Sequence, residues 1–392
     1  MGENGSAKVI AGVRELLPVL RERAQQAEDL RRVPAESMQA LTELGFFKLL
    51  APKRYGGYEA DPVSFYTAVK DIASACGSTG WVASIIGVHP WHLALFDDVA
   101  QREVWGEDPD ARISSSYAPM GKARIVDGGY RLSGRWSFSS GCNHATWAFV
   151  GGPAIGEGGK PVDFCTYLLP LGDYAIDDVW DTVGLRGSGS NDIVVDDVFV
   201  PAHRALSFLA MSKVRCPGHD VNTAALFRLP WGTVHPTTIT APIIGMAAGA
   251  YEAHVAHQGK RVRAAYAGER SKEDPFAKVR IAEAASEIDA AWLQLTRNVA
   301  EELALLENGE QVPMALRLRA RRDQVRGTAR AIGAIDRLFE NSGGRALASG
   351  TPIQRFWRDA HAGRVHAAND PERAYVMFGT GEFGLPVQDS MV

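Results

Sequence analysis

Two stretches, 277–305 and 315–341, carry apolar residues at helical spacing for about seven turns or more each. Helices that long and amphipathic bury their stripes against one another, so this half of the chain is predicted to form a bundle of antiparallel helices. Gly343-Gly344 breaks the second stretch, 352–368 reads as a further helix, and Asp370-Pro371 opens a short last one with Asp370 as its cap. Helix returns from Pro236, and the small residues Gly245, Ala248 and Gly249 would let another helix approach closely.

The beginning of the chain is also helical in pattern. Val9, Val13, Leu16, Leu17 and Leu20 recur at helical spacing, with Pro18 as an expected kink. Pro34 suits a first helical turn before Met38, Leu41 and Leu44, and Asp61-Pro62 starts a third helix through Tyr66, Val69 and Ile72. Ser78-Thr79 is read as the cap of a fourth, which carries Trp81, Ile85 and Ile86. His89-Pro90-Trp91-His92 follows, either a packed corner between helices or the wall of a pocket for an aromatic ligand. From Ile113 to about Pro201 the runs turn short, β-branched and broken by Gly and Asp, which predicts a barrel or sandwich. Residues 202–230 show no clear period and read as a lid, binding loop or linker. The expected fold class is therefore α+β, mostly α: an N-terminal helical domain (1–110), a central β-domain (111–215) and a C-terminal four-helix bundle (216–392).

Composition narrows the function. A formal charge of −4 over 392 residues leaves no polyanion-binding footprint, so nucleic acid is not an expected partner. Cys76, Cys142, Cys165 and Cys216 are far apart and without metal spacing, which reads as reduced thiols in a cytoplasmic protein and no metal site. Neither a secretion signal nor an apolar run long enough for a membrane span is visible. The one GxGxxG, from Gly379 to Gly384, has no βαβ unit after it, and neither a P-loop nor HExxH, CxxC or GxSxG occurs.

The segment from Gly128 to Val150 reads as strand, turn and strand, ending in the polar cluster Ser139-Ser140-Gly141. A strand that stops there leaves hydroxyls and free N–H groups beyond its end, a setting that suits a flavin; on local pattern alone it reads first as an ordinary surface turn with solvated serines.

Several motifs in order resemble the acyl-CoA dehydrogenase superfamily along nearly the whole chain. They are Pro52-Lys53-Arg54-Tyr55-Gly56-Gly57, the run from Gly129 to Gly141, Gly184-Leu185-Arg186-Gly187-Ser188-Gly189-Ser190, Asp197-Val198-Phe199-Val200-Pro201, and Pro352-Ile353-Gln354-Arg355-Phe356-Trp357-Arg358-Asp359. The chain departs from dehydrogenases after the last of these: Gly363 to Asp370 holds no glutamate for abstracting an α-proton, and Trp136 to Ser140 replaces the usual flavin strand. These departures resemble the two-component flavin-dependent monooxygenases that hydroxylate phenols. Within that family the stretches CGSTGWV, HQGKRVRAA and FWRDAHAGRVHAANDPERAYV look most like the hydroxylases acting on the phenolic A-ring of 9,10-seco-steroids in actinobacterial cholesterol degradation.

The resemblance implies an oxygenase that takes reduced FMN or FAD from a separate NADH-dependent reductase, forms a C4a-hydroperoxide with O2, and ortho-hydroxylates the phenol to a catechol. A homotetramer is implied as well. Alternatives are an acyl-CoA dehydrogenase-type flavoenzyme, or a hydroxylase of a smaller phenol such as 4-hydroxyphenylacetate. His366 is implied as peroxide stabiliser, its imidazolium favoured by a helix C-terminus. Ser140 is implied to bond flavin N5, and backbone groups of Phe138 and Ser139 to hold the ring edge. Trp81, Arg261, Gly344, Arg345 and Ala367 match further flavin-contacting positions, the two arginines meeting the phosphate. His89 and Ser115 match contacts to the phenol hydroxyl, His89 being favoured over His92 by its spacing to Ser115.

Overall fold

The computed structural model of the chain describes residues 2–263, 268–389 and 391–392; Ala264 and Ala265, which end the HQGKRVRAA stretch, lie outside them. Helices α1 (Gly2–Glu22), α2 (Ala24–Leu30), α3 (Ala35–Glu43), α4 (Pro62–Ala75), α5 (Gly77–Leu93) and α6 (Asp98–Trp105) come first. Eight strands follow: β1 (Ile113–Ser116), β2 (Gly121–Val126), β3 (Gly129–Ser139), β4 (Trp147–Ile155), β5 (Pro161–Pro170), β6 (Ala175–Asp177), β7 (Asn191–Pro201) and β8 (Ala205–Ser207). The rest is helical: the short α7 (Phe208–Ser212), then α8 (Trp231–Lys260), α9 (Pro275–Glu307), α10 (Met314–Ser342), α11 (Pro352–Arg364) and α12 (Pro371–Glu382), with a two-stranded ribbon, β9 (Val262–Arg263) and β10 (Glu269–Arg270), between α8 and α9. The mostly helical α+β class and the helix–sheet–bundle order are as the sequence predicts.

The eight strands form one sheet in the order β6-β7-β3-β2-β4-β5-β8, with β1 added in parallel to β4. Its core is Leu132, Trp136, Ala148, Val150, Tyr167, Leu169, Ile193 and Val195. The first and last helical regions share a second core, in which Phe65, Val69 and Ile72 of α4 meet Ile239, Ile243 and Ala247 of α8. The small-residue face of α8 is what allows this. A Cβ on Gly245 would stand 2.4 Å from the Lys70 carbonyl oxygen and 2.7 Å from Ala73. The helix that this face lets approach is therefore α4 of the same chain.

Several local expectations shift. Helix α5 starts at Gly77, because Cys76 carries the extended backbone of a cap; Ser78 instead accepts the Gly187 N–H at 3.2 Å, and the Thr79 hydroxyl turns back to Cys76 Sγ. Pro34 is the residue before α3 rather than in its first turn. Pro18 sits inside α1, which runs on to Glu22. Residues 202–230 are not a bare loop: they hold β8, α7 and three 3-10 turns, segments too short to show a period. The helix expected over 352–368 ends at Arg364, where the Asn369 amide reaches back to the Gly363 carbonyl and His366 turns extended to cap a 3-10 turn, Ala367–Asn369.

A polar joint ties the three regions together. Glu28 of α2, nearly fully buried, accepts from Arg355 Nε at 3.0 Å and from Arg358 at 2.6 Å, and Arg358 also donates to the Val183 carbonyl. Asp359 Oδ1 accepts the Leu185 N–H at 2.7 Å, while its Oδ2 is buried without a partner among the described residues. Burial pushes the Asp359 carboxyl up to about 7, with the Leu185 bond and the two arginines only partly opposing it. A carboxyl raised this way binds its proton more tightly folded than unfolded, so it erodes stability as pH climbs from about 4 to 7. Asp359→Asn keeps an acceptor for Leu185 and cannot ionise. Its stability relative to wild type should therefore rise between pH 5 and pH 8 by about 1 kcal/mol or more in urea unfolding; a difference that does not move with pH would contradict the buried-carboxyl account.

Candidate active site

The pocket lies where the end of β3, the middle of α5, the start of α8 and the turn after α11 converge. Strand β3 slips its register against β7 between Trp136 and Ser139, and Phe138 adopts a left-handed backbone (φ 70°), is 68% exposed and meets Trp180 edge-on at 6.2 Å. A bulky residue held in that conformation points to a functional feature. Gly141 is required next: its φ is 72°, and a Cβ there would stand 2.8 Å from Val82 of α5. This closeness sets Ser140 against α5.

Ser140 Oγ accepts the indole N–H of Trp81 at 3.0 Å and lies 2.8 Å from Ser190 Oγ, which continues to Ser188 Oγ at 2.7 Å. Either oxygen of each serine pair can donate; where Ser188 donates to Ser190 and Ser190 to Ser140, the Ser140 proton is free for a ligand. The neighbouring Ser139 hydroxyl is buried and donates to Ser114, so only its backbone can serve a ligand.

His366 stands across from Ser140, its ring centroid 6.1 Å from that of Trp81. The Ala368 N–H donates to its Nδ1 at 3.1 Å, which puts the ring proton on Nε2, facing the pocket. The imidazolium expected from a helix C-terminus is corrected here. The residue lies beyond the end of α11, and burial lowers it to about 4, so it acts as a neutral N–H donor.

The other wall is a cluster of rings. His89 Nδ1 donates to the Ile113 carbonyl at 2.5 Å, since that oxygen only accepts; its Nε2 therefore accepts from Ser115 Oγ at 3.0 Å. His89 is also lowered to about 4 by burial. His92 bonds Tyr117 Oη through Nδ1 at 2.8 Å, and its Nε2 is sealed in the interior. Ser115 is thus paired with His89, as its spacing indicates, and His92 belongs to Tyr117. The sequence reading missed Tyr117, Trp231 and His235. The His235 ring stacks on Trp231 (4.8 Å, 6°), meets Tyr117 edge-on at 5.4 Å and comes within 6.0 Å of His366. The sequence marks His235 only as the residue before Pro236, where helix is predicted to return.

The structure thus brings Trp81 together with Ser140 and His366, and His89 with Ser115; Phe138 and Ser139 end the strand that carries Ser140, and Ala367 follows His366. Arg261, Gly344 and Arg345 are not. Arg261 ends α8, its guanidinium against Gly343 and bonded to the Asn341 carbonyl. Counting 26 residues from His235 to Arg261 along α8 puts these groups about 39 Å apart at 1.5 Å per residue.

Donors at Ser140 Oγ and His366 Nε2, the flat Trp81 ring and the exposed Phe138 fit a planar, acceptor-rich ring such as a flavin. Among the described residues no cluster of His, Cys, Asp or Glu is arranged to hold a metal, and no helix is long and apolar enough to cross a membrane.

Comparison with known proteins identifies the family. Residues 11–107 match the acyl-CoA dehydrogenase N-terminal domain and 237–371 its C-terminal domain. The chain is 70% identical over 377 residues to the flavin-dependent monooxygenase oxygenase subunit HsaA of Rhodococcus jostii, covering 96% of this chain and 98% of that one. It is 63% identical over 390 residues to the same-named subunit of Mycobacterium tuberculosis, covering 100% and 99%. The crystal structure of the 3-HSA hydroxylase from Rhodococcus superposes with a TM-score of 0.95 at 68% identity, over 98% of this chain and 99% of that one.

Because a neutral imidazole in the fold must still be protonated in acid, His366 should titrate near pH 4 and stay neutral from pH 6 upward. Its lowered value makes the folded state less stable as pH falls from about 6.5 toward 4, since the unfolded chain then binds the extra proton. Ring signals in NMR, assigned through His366→Asn, check this; a midpoint near 6.5 would restore the imidazolium.

Proposed function

Because the chain belongs to the oxygenase subunits of flavin-dependent monooxygenases, on the acyl-CoA dehydrogenase fold, we propose that it hydroxylates a phenol ortho to its hydroxyl, with the A-ring of a 9,10-seco-steroid as substrate. The enzyme uses a reduced flavin, and as an oxygenase subunit it works with a reductase component. In this reading the flavin is reduced FMN or FAD that a separate NADH-dependent reductase releases, with O2 as co-substrate.

One observation carries the reading: a pocket with neutral N–H and O–H donors on one wall and a Ser–His pair on the other. When bound, the reduced flavin supplies the activated oxygen. Ser140 Oγ–H and His366 Nε2–H would donate to it, backbone groups of Phe138 and Ser139 would hold its ring edge, and Trp81 and Ala367 would make further contacts. Preorganised donors of this kind act strongly in a pocket walled from water. On the opposite wall the phenol O–H donates to Ser115 Oγ, whose own proton is already aimed at His89 Nε2. His89 therefore draws the phenol proton through Ser115, raising electron density at the ortho carbon.

A homotetramer belongs to this proposal. Phe276, Val279, Leu293, Leu347, Val365, Val376 and Phe383 leave large apolar side chains exposed on the bundle and the turns beside it, a pattern typical of interfaces. Arg261 and Arg345, too distant for a flavin in their own chain, would reach one held by a neighbouring copy.

Stopped-flow mixing of the protein and reduced flavin with oxygen, with and without phenol, tests the reading; no hydroxylated product would refute it. His366→Ala should slow the oxygen reaction of the bound flavin by about 10²-fold, with His366→Asn recovering part of the rate through its N–H. Ser115→Ala should leave that reaction unchanged and weaken coupling to phenol hydroxylation. Light scattering should return four chains per particle at micromolar concentration, and a monomer would contradict the assembly.

A further inference from the structure

Oxygen transfer to a phenol raises a problem that the assigned residues leave unsolved. The attacked carbon becomes tetrahedral, carrying both its hydrogen and the new hydroxyl, while the original hydroxyl becomes a ketone. The ring regains aromaticity only when that carbon loses its hydrogen as a proton. The C–H electron pair then returns to the ring, and the ketone oxygen takes back a proton from the Ser115–His89 pair. Some group must accept the carbon-bound proton.

The hydrogen-bond inventory of the pocket eliminates most candidates. His89 spends one nitrogen on the Ile113 carbonyl and aims its lone pair at Ser115. His92 holds Tyr117 with one nitrogen and has the other sealed in the interior. His366 accepts from the Ala368 N–H, so its pocket-facing nitrogen carries a proton and cannot take another. Ser140 is engaged with Trp81 and Ser190. Asp359 and Glu302, the buried carboxyls of highest affinity for protons, are committed elsewhere, to Leu185 N–H and Thr233 Oγ1.

His235 is different. Among the described residues its side chain makes no hydrogen bond, although the residue is mostly buried. Its face is fixed by the parallel stack on Trp231, so the ring edge is what it presents, between Tyr117 on the phenol side and His366 on the flavin side. We propose that His235 is a further catalytic residue, the base that takes the proton leaving the hydroxylated ring carbon. Burial, and the neighbouring His366, His89 and the Arg321 cation, hold it well below the usual imidazole range, so it is neutral and able to accept at working pH. The same surroundings make its imidazolium short-lived, and the proton passes on to solvent. The inference rests on the phenol reading above.

The test uses single-turnover hydroxylation of a phenol deuterated at the carbon that receives oxygen. Wild type should form product with no primary isotope effect. His235→Phe, which keeps the stack on Trp231, and His235→Gln, which keeps hydrogen bonding, should both slow product formation by about 10²-fold and reveal a primary isotope effect. Added imidazole should restore rate to His235→Ala. Phenol affinity of the flavin-free protein should be unchanged in all three, while NMR signals of the His235 ring should shift when phenol binds to flavin-free wild type. Weaker phenol binding with no isotope effect, or wild-type product rates in the Phe and Gln variants, would overturn the proposal. A wild-type enzyme that makes no catechol would instead refute the phenol reading itself.

Discussion

The site depends on one ionic joint. Glu28 of α2 receives Arg355 and Arg358 of α11, Arg358 continues to the Val183 carbonyl, and Asp359 takes the Leu185 N–H. Through these four residues the segment 183–190 is wedged between the first helices and the bundle. Its far end supplies Ser188 and Ser190, and Gly141 N–H donates to the Ser188 carbonyl at 2.9 Å. The position of Ser140 thus follows from a charge pair about two turns of helix before His366. A buried ion pair of this kind is weak evidence for net stability but strong for geometry, since breaking one arm strands a charge. Leu185 pays part of the cost in its left-handed backbone (φ 51°).

Much of this was legible because it is local or periodic. The long stripes of 277–305 and 315–341 appear as α9 and α10, and Asp370 caps α12 through the Arg373 N–H, because capping needs only neighbouring residues. The Ser115–His89 pair was reachable through the family motif. What failed was set by distant contacts. Ser78 could not be recognised as a bond to Gly187, nor the α8 small-residue face as the seat of α4, because each partner lies 100 residues or more away or in a different layer. His235 carries no local mark at all; only the stack on Trp231 and the turn that brings His366 near give it meaning.

The charge state of the pocket follows from the same burial that builds it. A helix-end argument assigns His366 a proton, because it counts the dipole and omits desolvation. In the fold desolvation dominates, lowering His366 and His89 alike to about 4. The imidazoles here are therefore neutral, offering N–H groups and lone pairs rather than imidazolium charge. The buried cation Arg321 is turned away: it donates to Gln324 and, at 3.2 Å, to the Ala368 carbonyl, on the turn that orients His366.

Helix length sets the last constraint. Helix α8 begins at the aromatic wall and ends at Arg261, so the groups that resemble ring contacts and those that resemble phosphate contacts stand at opposite ends of one 30-residue rod. The kinks available at Pro236 and Pro242 lie within the first three turns, too near the start to fold the far end back. A flavin is much shorter than about 39 Å. If both sets serve one flavin, they come from two chains, and the site is complete only in an assembly. The exposed Phe276 and Val279 follow Arg261 closely in the chain, at the start of α9. Apolar contact there would carry the arginine to a neighbouring pocket, so the surface that would drive association and the residue that would complete the site lie at the same end of the bundle.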